Sequence, residues 1–284
     1  MTGAETGAET VGSEADPSTA PLREHIQELR RRLIWIIAIV FLSTLLIFSI
    51  LGPWLNNLVQ WPVLRILSEE QQLTFLGDFI VTSLPEALFT LFKLAFYAAI
   101  FVTSPFVLYQ IWRFVAPGLI QKEQAATRPF LMASPFLFFA GASLCYFIVM
   151  PWAFKFLISF AEGLGYTVLP KIDQYAAFFM RMVLGFGIAF QLPVALSLLT
   201  MAGLVRPSQL AGNRKYAVVA CLIASALLTP PDGITMAILF IPLYGLFELS
   251  IVIGKGIERR QIARNPYLDP NYQDEVEEDL VEKK

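Results

Sequence analysis

The sequence predicts an all-α integral membrane protein with six transmembrane helices. Of its 284 residues, 56% are hydrophobic and only 15% are charged, and the mean hydropathy is +0.60. A soluble domain of this length is less apolar than that. The apolar residues come in runs of about 20, the length of a helix that crosses a bilayer. The runs lack the alternation of barrel strands, so helices are predicted.

Six apolar runs are candidates for membrane spans. They are 33–52, 88–115, 130–150, 175–203, 216–228 and 234–253. As a helix, the fifth run is about 20 Å long, which is shorter than a hydrocarbon core of about 30 Å. It joins the sixth run through TPPDG at 229–233, whose prolines and glycine predict a tight turn. Such a short hairpin is expected to thin the bilayer locally or to be shielded by a partner.

Lysine and arginine are distributed unevenly among the loops, although the net charge is only −2. One set of flanks carries Arg23, Arg30, Arg31, Arg32, Arg113, Lys122, Arg128, Arg206, Arg214, Lys215, Lys255, Arg259, Arg260 and Arg264. By the positive-inside rule, these flanks and both termini are predicted to face the cytoplasm. The first outer loop contains Trp54 and Trp61 on one helical face. They favour either a helix lying in the interface or anchors at the membrane boundary. The second outer loop contains FKFLISFAEGLGYTVLPKID at 154–173, which predicts another partly amphipathic outer segment.

The two ends of the chain differ from its apolar middle. Residues 1–21 are mainly small, polar and acidic, and they lack the basic and apolar regions of a signal peptide. We predict that they form a disordered tail. Residues 255–284 end in the acidic segment DEVEEDLVEKK, which predicts a second disordered tail. The membrane domain is therefore predicted to occupy 22–254.

Several kinds of chemistry are disfavoured by the sequence. The one histidine, His25, precedes the first run, so a histidine-based hydrolase inside the membrane is not expected. The two cysteines, Cys145 and Cys221, lie in apolar runs, where cysteine packs as a small hydrophobic residue. Neither a zinc HExxH motif nor a GxxxxGK[ST] phosphate loop occurs. We expect no enzyme activity, no metal and no cofactor.

Polar side chains inside apolar runs are costly in a bilayer, so each is a functional candidate. Gln191 lies near the middle of the fourth run, Arg181 in its outer half, and Glu248 toward the inner third of the sixth run. Gln191 either joins helices of the chain by a hydrogen bond or belongs to a functional site. Glu248 is either functional or close enough to the inner surface to be hydrated. Asp232 lies in the 229–233 turn, where turn formation is the alternative.

A charged segment, LREHIQELRRRL at 22–33, directly precedes and enters the first run. If it is helical, Glu28 and Arg32 can pair on one face, which is worth roughly 0.2–0.5 kcal/mol on an exposed helix. Glu123 lies in the next inner loop. The two carboxylates can instead receive two cationic groups of a ligand, and arginine suits them because its planar fork binds a carboxylate bidentately. Both hypotheses stay open on these residues.

Four motifs, in order along the chain, resemble signatures of one membrane protein family. They are HIQELRRRL at 25–33, SPFVLYQIWRFVAPGLIQKE at 104–123, LLTPPDGIT at 227–235 and IPLYGLFE at 241–248. They are similar to the N-terminal, first-inner-loop, outer-turn and last-span signatures of the TatC family. This family is the large six-span subunit of the twin-arginine (Sec-independent) protein translocase. The resemblance covers about 22–260.

The resemblance implies a receptor for signal peptides that carry two consecutive arginines. It also implies export of folded proteins across the bacterial cytoplasmic membrane, driven by the proton-motive force. TatA- and TatB-type single-span subunits and further copies of the chain would complete the complex. Glu28 and Glu123 would receive the arginine pair, and Arg30 and Phe114 lie in the same two signatures.

Four further residues acquire structural or partner-contact roles from the resemblance. Pro62 resembles a family proline of the first outer loop, and Asp232 would be the outer-turn aspartate. Glu248 would be the polar group of the last span. Gln191 departs from the family pattern, in which many members have glutamate. This departure weakens a role in carrying a proton or a negative charge and leaves a hydrogen bond to a partner helix.

Three other interpretations compete with this one. A secondary transporter is expected to show a hydrophilic central path and broken helices in repeated halves, but few ionisable groups lie near the midplane and no repeat is clear. A membrane-embedded enzyme is disfavoured by the missing nucleophile–base set. A structural scaffold shares much with the translocase subunit. Loss of export of precursors with an arginine pair would separate these two.

Overall fold

The structure is a computed structural model that describes residues 20–65, 79–115, 124–166, 168, 170–229 and 233–264. Its helices, in chain order, are α1 Ala20–Leu64, α2 Leu84–Val115, α3 Gln124–Leu144, a π-helical turn Cys145–Val149, α4 Met150–Gly163, α5 Ile172–Ala189, α6 Leu192–Met201, α7 Pro207–Gly212, α8 Arg214–Leu228 and α9 Gly233–Arg264. Extended pairing within these residues is limited to one bridge between Ile80 and Lys171. The all-α prediction is confirmed. The predicted tails lie mostly outside the described residues, although α9 continues to Arg264.

Five helical stretches in the described part of the chain are long and apolar enough to cross a membrane, by length and composition. They are Ile26–Gly52, Leu84–Phe114, Phe130–Gly163, Ile172–Met201 and Gly233–Ala263. The fifth predicted run forms α8, which has 15 residues. At 1.5 Å per residue α8 is about 22 Å long, short of the hydrocarbon core. Whether α8 also crosses the membrane, which would make six crossings, therefore stays a prediction.

The long helices expose large apolar side chains and bury small polar ones. The first half of α1 exposes more than half of each of Ile34, Trp35, Ile37, Phe41 and Leu42. Buried hydroxyls donate to the helix carbonyl four residues earlier at Thr44, Thr103, Ser197, Ser225 and Ser250. Such local bonds satisfy a hydroxyl without water. This surface suits a hydrocarbon environment, where polar groups need partners within the protein.

The first helix is longer than the predicted first run. α1 continues past Gly52 to Leu64, so Trp54 and Trp61 belong to the same helix as the span. Leu55, Val59 and Val63 are buried. They recur every four residues along one helical face. Packing of this stripe against the core explains why the helix does not end where the apolar run ends.

The third predicted run also continues beyond its expected end. In the π-helical turn, the Met150 N–H bonds to the Cys145 carbonyl five residues earlier, and α4 then extends to Gly163. Pro151 follows at the start of α4. Because proline lacks an N–H and its ring clashes with the preceding turn, a widened turn accommodates it. Part of the predicted outer segment is therefore a helical extension.

The fourth predicted run consists of two helices. α5 ends at Ala189 and α6 begins at Leu192. At the break the Gln191 N–H bonds to the Ile188 carbonyl three residues earlier. Pro193, at the start of α6, has no N–H for a helix carbonyl. The proline therefore explains an interruption that apolar periodicity does not reveal.

Glycines allow α3 and α5 to approach closely. A Cβ built on Gly187 would lie 2.6 Å from the Phe138 ring, and one on Gly141 would lie 2.7 Å from the Phe186 carbonyl oxygen. Phe138 and Phe186 are buried in the core. Small residues permit such contacts between membrane helices, so these positions set the spacing of the two helices.

The helices define two ends of the bundle. Arg32, near the start of α1, bonds to Gln110, near the end of α2; we call this arginine-rich end the basic end. At the other end, which we call the opposite end, the parallel bridge joins Ile80 to Lys171. The Lys171 Nζ also lies 3.4 Å from the Glu86 carboxylate in α2. The candidate residues are distributed between these ends and the middle of the bundle.

Candidate functional site

At the basic end, Glu28 is paired with a guanidinium of its own helix. The Arg32 Nε donates to Glu28 Oε1 over 3.1 Å, and Arg32 Nη2 forms an ion pair with the same oxygen. Arg32 Nη1 donates to the side-chain oxygen of Gln110 over 3.0 Å. The exposed side-chain fraction is 12% for Arg32 and 33% for Glu28. The predicted pair therefore forms, and it also ties α1 to α2.

The other candidates of this site lie near it or outside the described residues. Arg30 is exposed on α1, and Phe114 is half-buried at the end of α2. Glu123 falls within 116–123, outside the part of the chain that the structure describes. The sequence did not identify Gln110 as a residue of this site. The available signal was its position four residues before Phe114, on the same helical face.

A hydrogen-bonded network joins three helices around Gln191. The Trp112 indole N–H donates to the Ser134 hydroxyl over 2.8 Å, and that hydroxyl donates to Gln191 Oε1 over 2.5 Å. Gln191 Nε2 donates to the backbone carbonyl of Ser134 over 3.0 Å. Trp112 and Ser134 are buried. The amide therefore acts as donor and acceptor at once, and the hydrogen bond between helices expected as one alternative is present.

Ser134 and Trp112 are members of this network that the sequence did not identify. Serine counts neither as charged nor as hydrophobic, so it does not stand out in an apolar run. Tryptophan in such a run is normally interpreted as a packing residue. The available signal was the coincidence of polar atoms in three separate runs, because polar groups in hydrocarbon need partners. Only the fold places these three side chains together.

Pro62, at the opposite end, is fully buried near the end of α1. The Leu58 carbonyl, four residues before it, accepts a 2.8 Å hydrogen bond from the Tyr146 hydroxyl. The next carbonyl, that of Val59, accepts a 2.6 Å bond from Tyr175. Because proline has no N–H, Leu58 lacks its usual helical donor. Pro62 thus leaves an acceptor for a neighbouring helix.

Glu248, in α9, binds the guanidinium of Arg214 at the start of α8. Arg214 Nε lies 2.8 Å from Oε1, and Nη2 donates to Oε2 over 3.0 Å. The Tyr244 hydroxyl donates to Oε1 over 2.8 Å. The exposed side-chain fraction is 51% for Arg214 and 32% for Glu248. Glu248 is therefore accessible and joins two helices, in line with the alternative of a hydrated position.

The opposite end also carries ion pairs that sequence reasoning missed. Lys93 Nζ lies 2.7 Å from the Asp173 carboxylate. Glu86 accepts hydrogen bonds from the Thr82 N–H and hydroxyl, each of 2.7 Å. The partners in these pairs lie far apart in the sequence, so no local pattern indicates them. Asp232 falls within 230–232, outside the described residues.

The described polar side chains form hydrogen bonds and ion pairs that connect helices. In this part of the chain, no group of three or more His, Cys, Asp or Glu residues is placed to hold a metal ion. The networks consist of carboxylate–guanidinium pairs and of amide and hydroxyl hydrogen bonds. Such interactions attach one helix to another, and a carboxylate among them can also bind a cationic ligand. Fold and sites together define a multi-spanning helical membrane protein with a carboxylate site at its basic end.

Comparisons with known proteins extend this description. A family model described as Sec-independent protein translocase protein (TatC) matches residues 24–242. A TatC protein of Magnetococcus marinus is 38% identical over 242 residues, covering 85% of this chain and 86% of the relative. One of Escherichia coli K12 is 34% identical over 249 residues, covering 86% and 93%. The chain belongs to the TatC family of Sec-independent protein translocase subunits.

The fold agrees with a solved structure of the same family. The crystal structure of a twin-arginine translocase receptor, TatC, superposes with a TM-score of 0.71 at 36% identity. The match covers 82% of this chain and 99% of that chain. These relatives are named as components of a protein translocase, which is a transport role rather than a catalytic one.

Proposed function

We propose that the chain is the signal-peptide receptor and core subunit of a twin-arginine translocase. It binds the arginine pair of a signal peptide at the basic end. With TatA- and TatB-type single-span subunits, and with further copies of itself, it exports folded proteins across the bacterial cytoplasmic membrane. The proton-motive force supplies the energy.

The observation that carries this proposal is the guanidinium bound by Glu28. In the structure, Arg32 approaches one carboxylate oxygen with both Nε and Nη2. The position of Glu28 therefore suits an arginine side chain. About a third of the Glu28 side chain is exposed, so a ligand can reach it. Charge-assisted hydrogen bonds are stronger than neutral ones, which fits a carboxylate that selects arginine.

The surroundings of Glu28 supply the rest of the proposed site. Gln110 brings the last turns of α2 against α1. The chain after α2 leads directly into 116–123, the segment that contains Glu123. We assign Glu123 to the second arginine, with Arg30 and Phe114 at the edges of the site. Two carboxylates in separate segments of the chain would give the two arginines distinct partners.

The proposed topology has six crossings with both termini in the cytoplasm. The basic end holds the arginines near the start of α1, and the positive-inside rule assigns such an end to the cytoplasm. An even number of crossings agrees with this assignment. α8 is the short fifth crossing, and its length favours a thinned or partner-shielded bilayer. Pro62, Gln191, Asp232 and Glu248 are proposed as structural or partner-contact residues.

An export assay tests the proposal. Membrane vesicles containing the chain and its partner subunits receive a folded fluorescent protein fused to a signal peptide with Arg-Arg or with Lys-Lys. We expect protected fluorescence only with Arg-Arg and only without a protonophore. Glu28→Gln and Glu123→Gln should each reduce it, whereas Glu258→Gln, which removes a carboxylate from the end of α9, should not. Equal transport of both fusions would refute the receptor assignment.

A further inference from the structure

The guanidinium of Arg32 is committed to two partners on different helices. Nε and Nη2 engage Glu28 on α1, with the Nε bond at 3.1 Å. Nη1 lies 3.0 Å from Gln110 Oε1 and 3.5 Å from the Gln110 backbone carbonyl, both on α2. Only 12% of the Arg32 side chain is exposed. The chain thus holds its own arginine at the carboxylate that is proposed to read a foreign one.

We propose that Arg32 is a built-in competitor at Glu28 and thereby sets the affinity of the site for a signal peptide. This inference rests on the proposed receptor function. In the absence of a signal peptide, Arg32 occupies the Glu28 carboxylate. Binding is then an exchange, in which a guanidinium of the ligand takes over the hydrogen bonds that Arg32 gives to Glu28. Because Arg32 is on the same helix, its effective concentration at Glu28 is high.

The exchange costs every ligand the same. Whichever cation takes over the Glu28 carboxylate, the same bonds from Arg32 must first be broken, so the apparent dissociation constant rises by one factor for arginine and for lysine. The two cations differ in their own fit to the carboxylate, because a guanidinium presents a planar set of donors and an ammonium is a compact point charge. Specificity is a difference of affinities, in which the cost of displacing Arg32 cancels. Arg32 therefore sets how tightly a signal peptide must bind and leaves the preference between the cations to Glu28.

Gln110 gives the displaced Arg32 a place to remain. Its side-chain oxygen and backbone carbonyl both accept from Nη1. Those bonds do not involve Glu28, so Arg32 keeps them when Glu28 turns to the ligand. Glu28 is also the more exposed partner of the pair. The ligand can therefore approach the carboxylate while the less exposed Arg32 guanidinium stays bonded to α2.

The test compares binding of two synthetic signal peptides to the full chain in lipid nanodiscs. The peptides differ only in Arg-Arg or Lys-Lys ahead of the apolar segment. Arg32→Gln should tighten both by the same factor of about three, as expected for loss of a partly exposed ion pair, and should leave the ratio of the two dissociation constants unchanged. Arg32→Lys keeps the charge but loses the planar fork, so it should tighten both by less. Arg31→Gln removes the same charge from an exposed neighbouring position and should leave both dissociation constants unchanged.

Two results would overturn the inference, and they are distinguishable. If Arg32→Gln and Arg32→Lys weaken the binding of both peptides or leave it unchanged, Arg32 positions Glu28 and does not compete for it. If the unsubstituted chain binds both peptides equally, the receptor function itself fails. Should Arg32→Gln not insert into membranes, Arg32→Lys decides the question alone, because it preserves the charge that the positive-inside rule requires.

Discussion

The hydroxyl of Tyr146 donates a 2.8 Å hydrogen bond to the backbone carbonyl of Leu58. That carbonyl is available because Pro62, four residues later, has no N–H. We predict that Tyr146→Phe lowers the free energy of unfolding by about 1 kcal/mol. In a Pro62→Ala background, alanine restores the helical donor, so the same change should have a smaller effect. Unfolding in detergent of the four proteins of this double-mutant cycle measures the coupling.

Tyr175 supplies the control for this cycle. It donates to the Val59 carbonyl over 2.6 Å. Val63, four residues after Val59, is not a proline and has its own N–H. Tyr175→Phe and Pro62→Ala are therefore expected to add independently. If both tyrosine substitutions were equally coupled to Pro62→Ala, the coupling would reflect a general disturbance of α1. The missing N–H of Pro62 would then not be its cause.

Gly141 is predicted to be the least tolerant of the helical glycines to added volume. A Cβ there would meet the Phe186 backbone oxygen at 2.7 Å and the Phe190 ring at 2.5 Å. Backbone cannot rotate away as a side chain does, so Gly141→Ala should destabilise the protein by about 1–3 kcal/mol. Gly245 in α9 has nothing within 4 Å of such a Cβ. Gly245→Ala should stabilise by up to about 1 kcal/mol.

These two alanine variants are compared by their unfolding midpoints in the same detergent. The difference in sign is the decisive feature, because both changes add one methyl group to a helix. A destabilised Gly245→Ala protein would indicate that the exposed face of α9 is covered by something other than lipid or detergent. A neutral Gly141→Ala protein would contradict the close approach of α3 and α5.

Gln191 is predicted to require its amide. Nε2 donates to the Ser134 backbone carbonyl over 3.0 Å. A carboxylate cannot donate there and would place two acceptors together, so Gln191→Glu should destabilise by about 1–3 kcal/mol. Gln209 is the matched control, since it is exposed and uses its side-chain oxygen only as an acceptor for the Arg206 N–H. Gln209→Glu should be nearly neutral, and similar losses in both proteins would contradict the prediction.

Arg214 and Glu248 are predicted to stabilise the contact of α8 with α9 by a modest amount. Two bonds of 2.8 and 3.0 Å join them. Because both side chains are substantially exposed, water screens the pair, and we expect a coupling energy of about 0.5–1 kcal/mol. A cycle of Arg214→Gln and Glu248→Gln, unfolded at low and at high salt, measures it. The coupling should shrink at high salt, and a coupling that is absent at low salt would contradict the structure.

The sequence predicted the elements that depend on local pattern. The helical class follows from apolar runs, and the Glu28–Arg32 pair follows from a spacing of four residues on one helix. The break at Gln191 and the π-helical turn before Pro151 were not predicted, because hydropathy averages over single prolines. The extension of α1 to Leu64 was also missed, since the stripe of Leu55, Val59 and Val63 is stabilised by tertiary packing.

The parts of the site that depend on distant residues could not be predicted. Gln110 meets Arg32 only because α1 and α2 are antiparallel neighbours. Ser134 joins Trp112 to Gln191 only after α3 and α5 have packed through their glycines. Nothing in the local sequence of Asp173 indicates Lys93 as its partner. Which distant residues pair depends on how the helices pack, and local sequence patterns do not reveal that packing.

The most direct test of the receptor function is photo-crosslinking of an Arg-Arg signal peptide to the chain in membranes. The crosslinker is placed beside the arginine pair. We predict adducts in the 22–33 segment and in 116–123, which fade with a Lys-Lys peptide and with either Glu28→Gln or Glu123→Gln. Glu258→Gln should leave them intact. Equal adducts from both peptides, or adducts indifferent to both carboxylates, would contradict recognition of the arginine pair by Glu28 and Glu123.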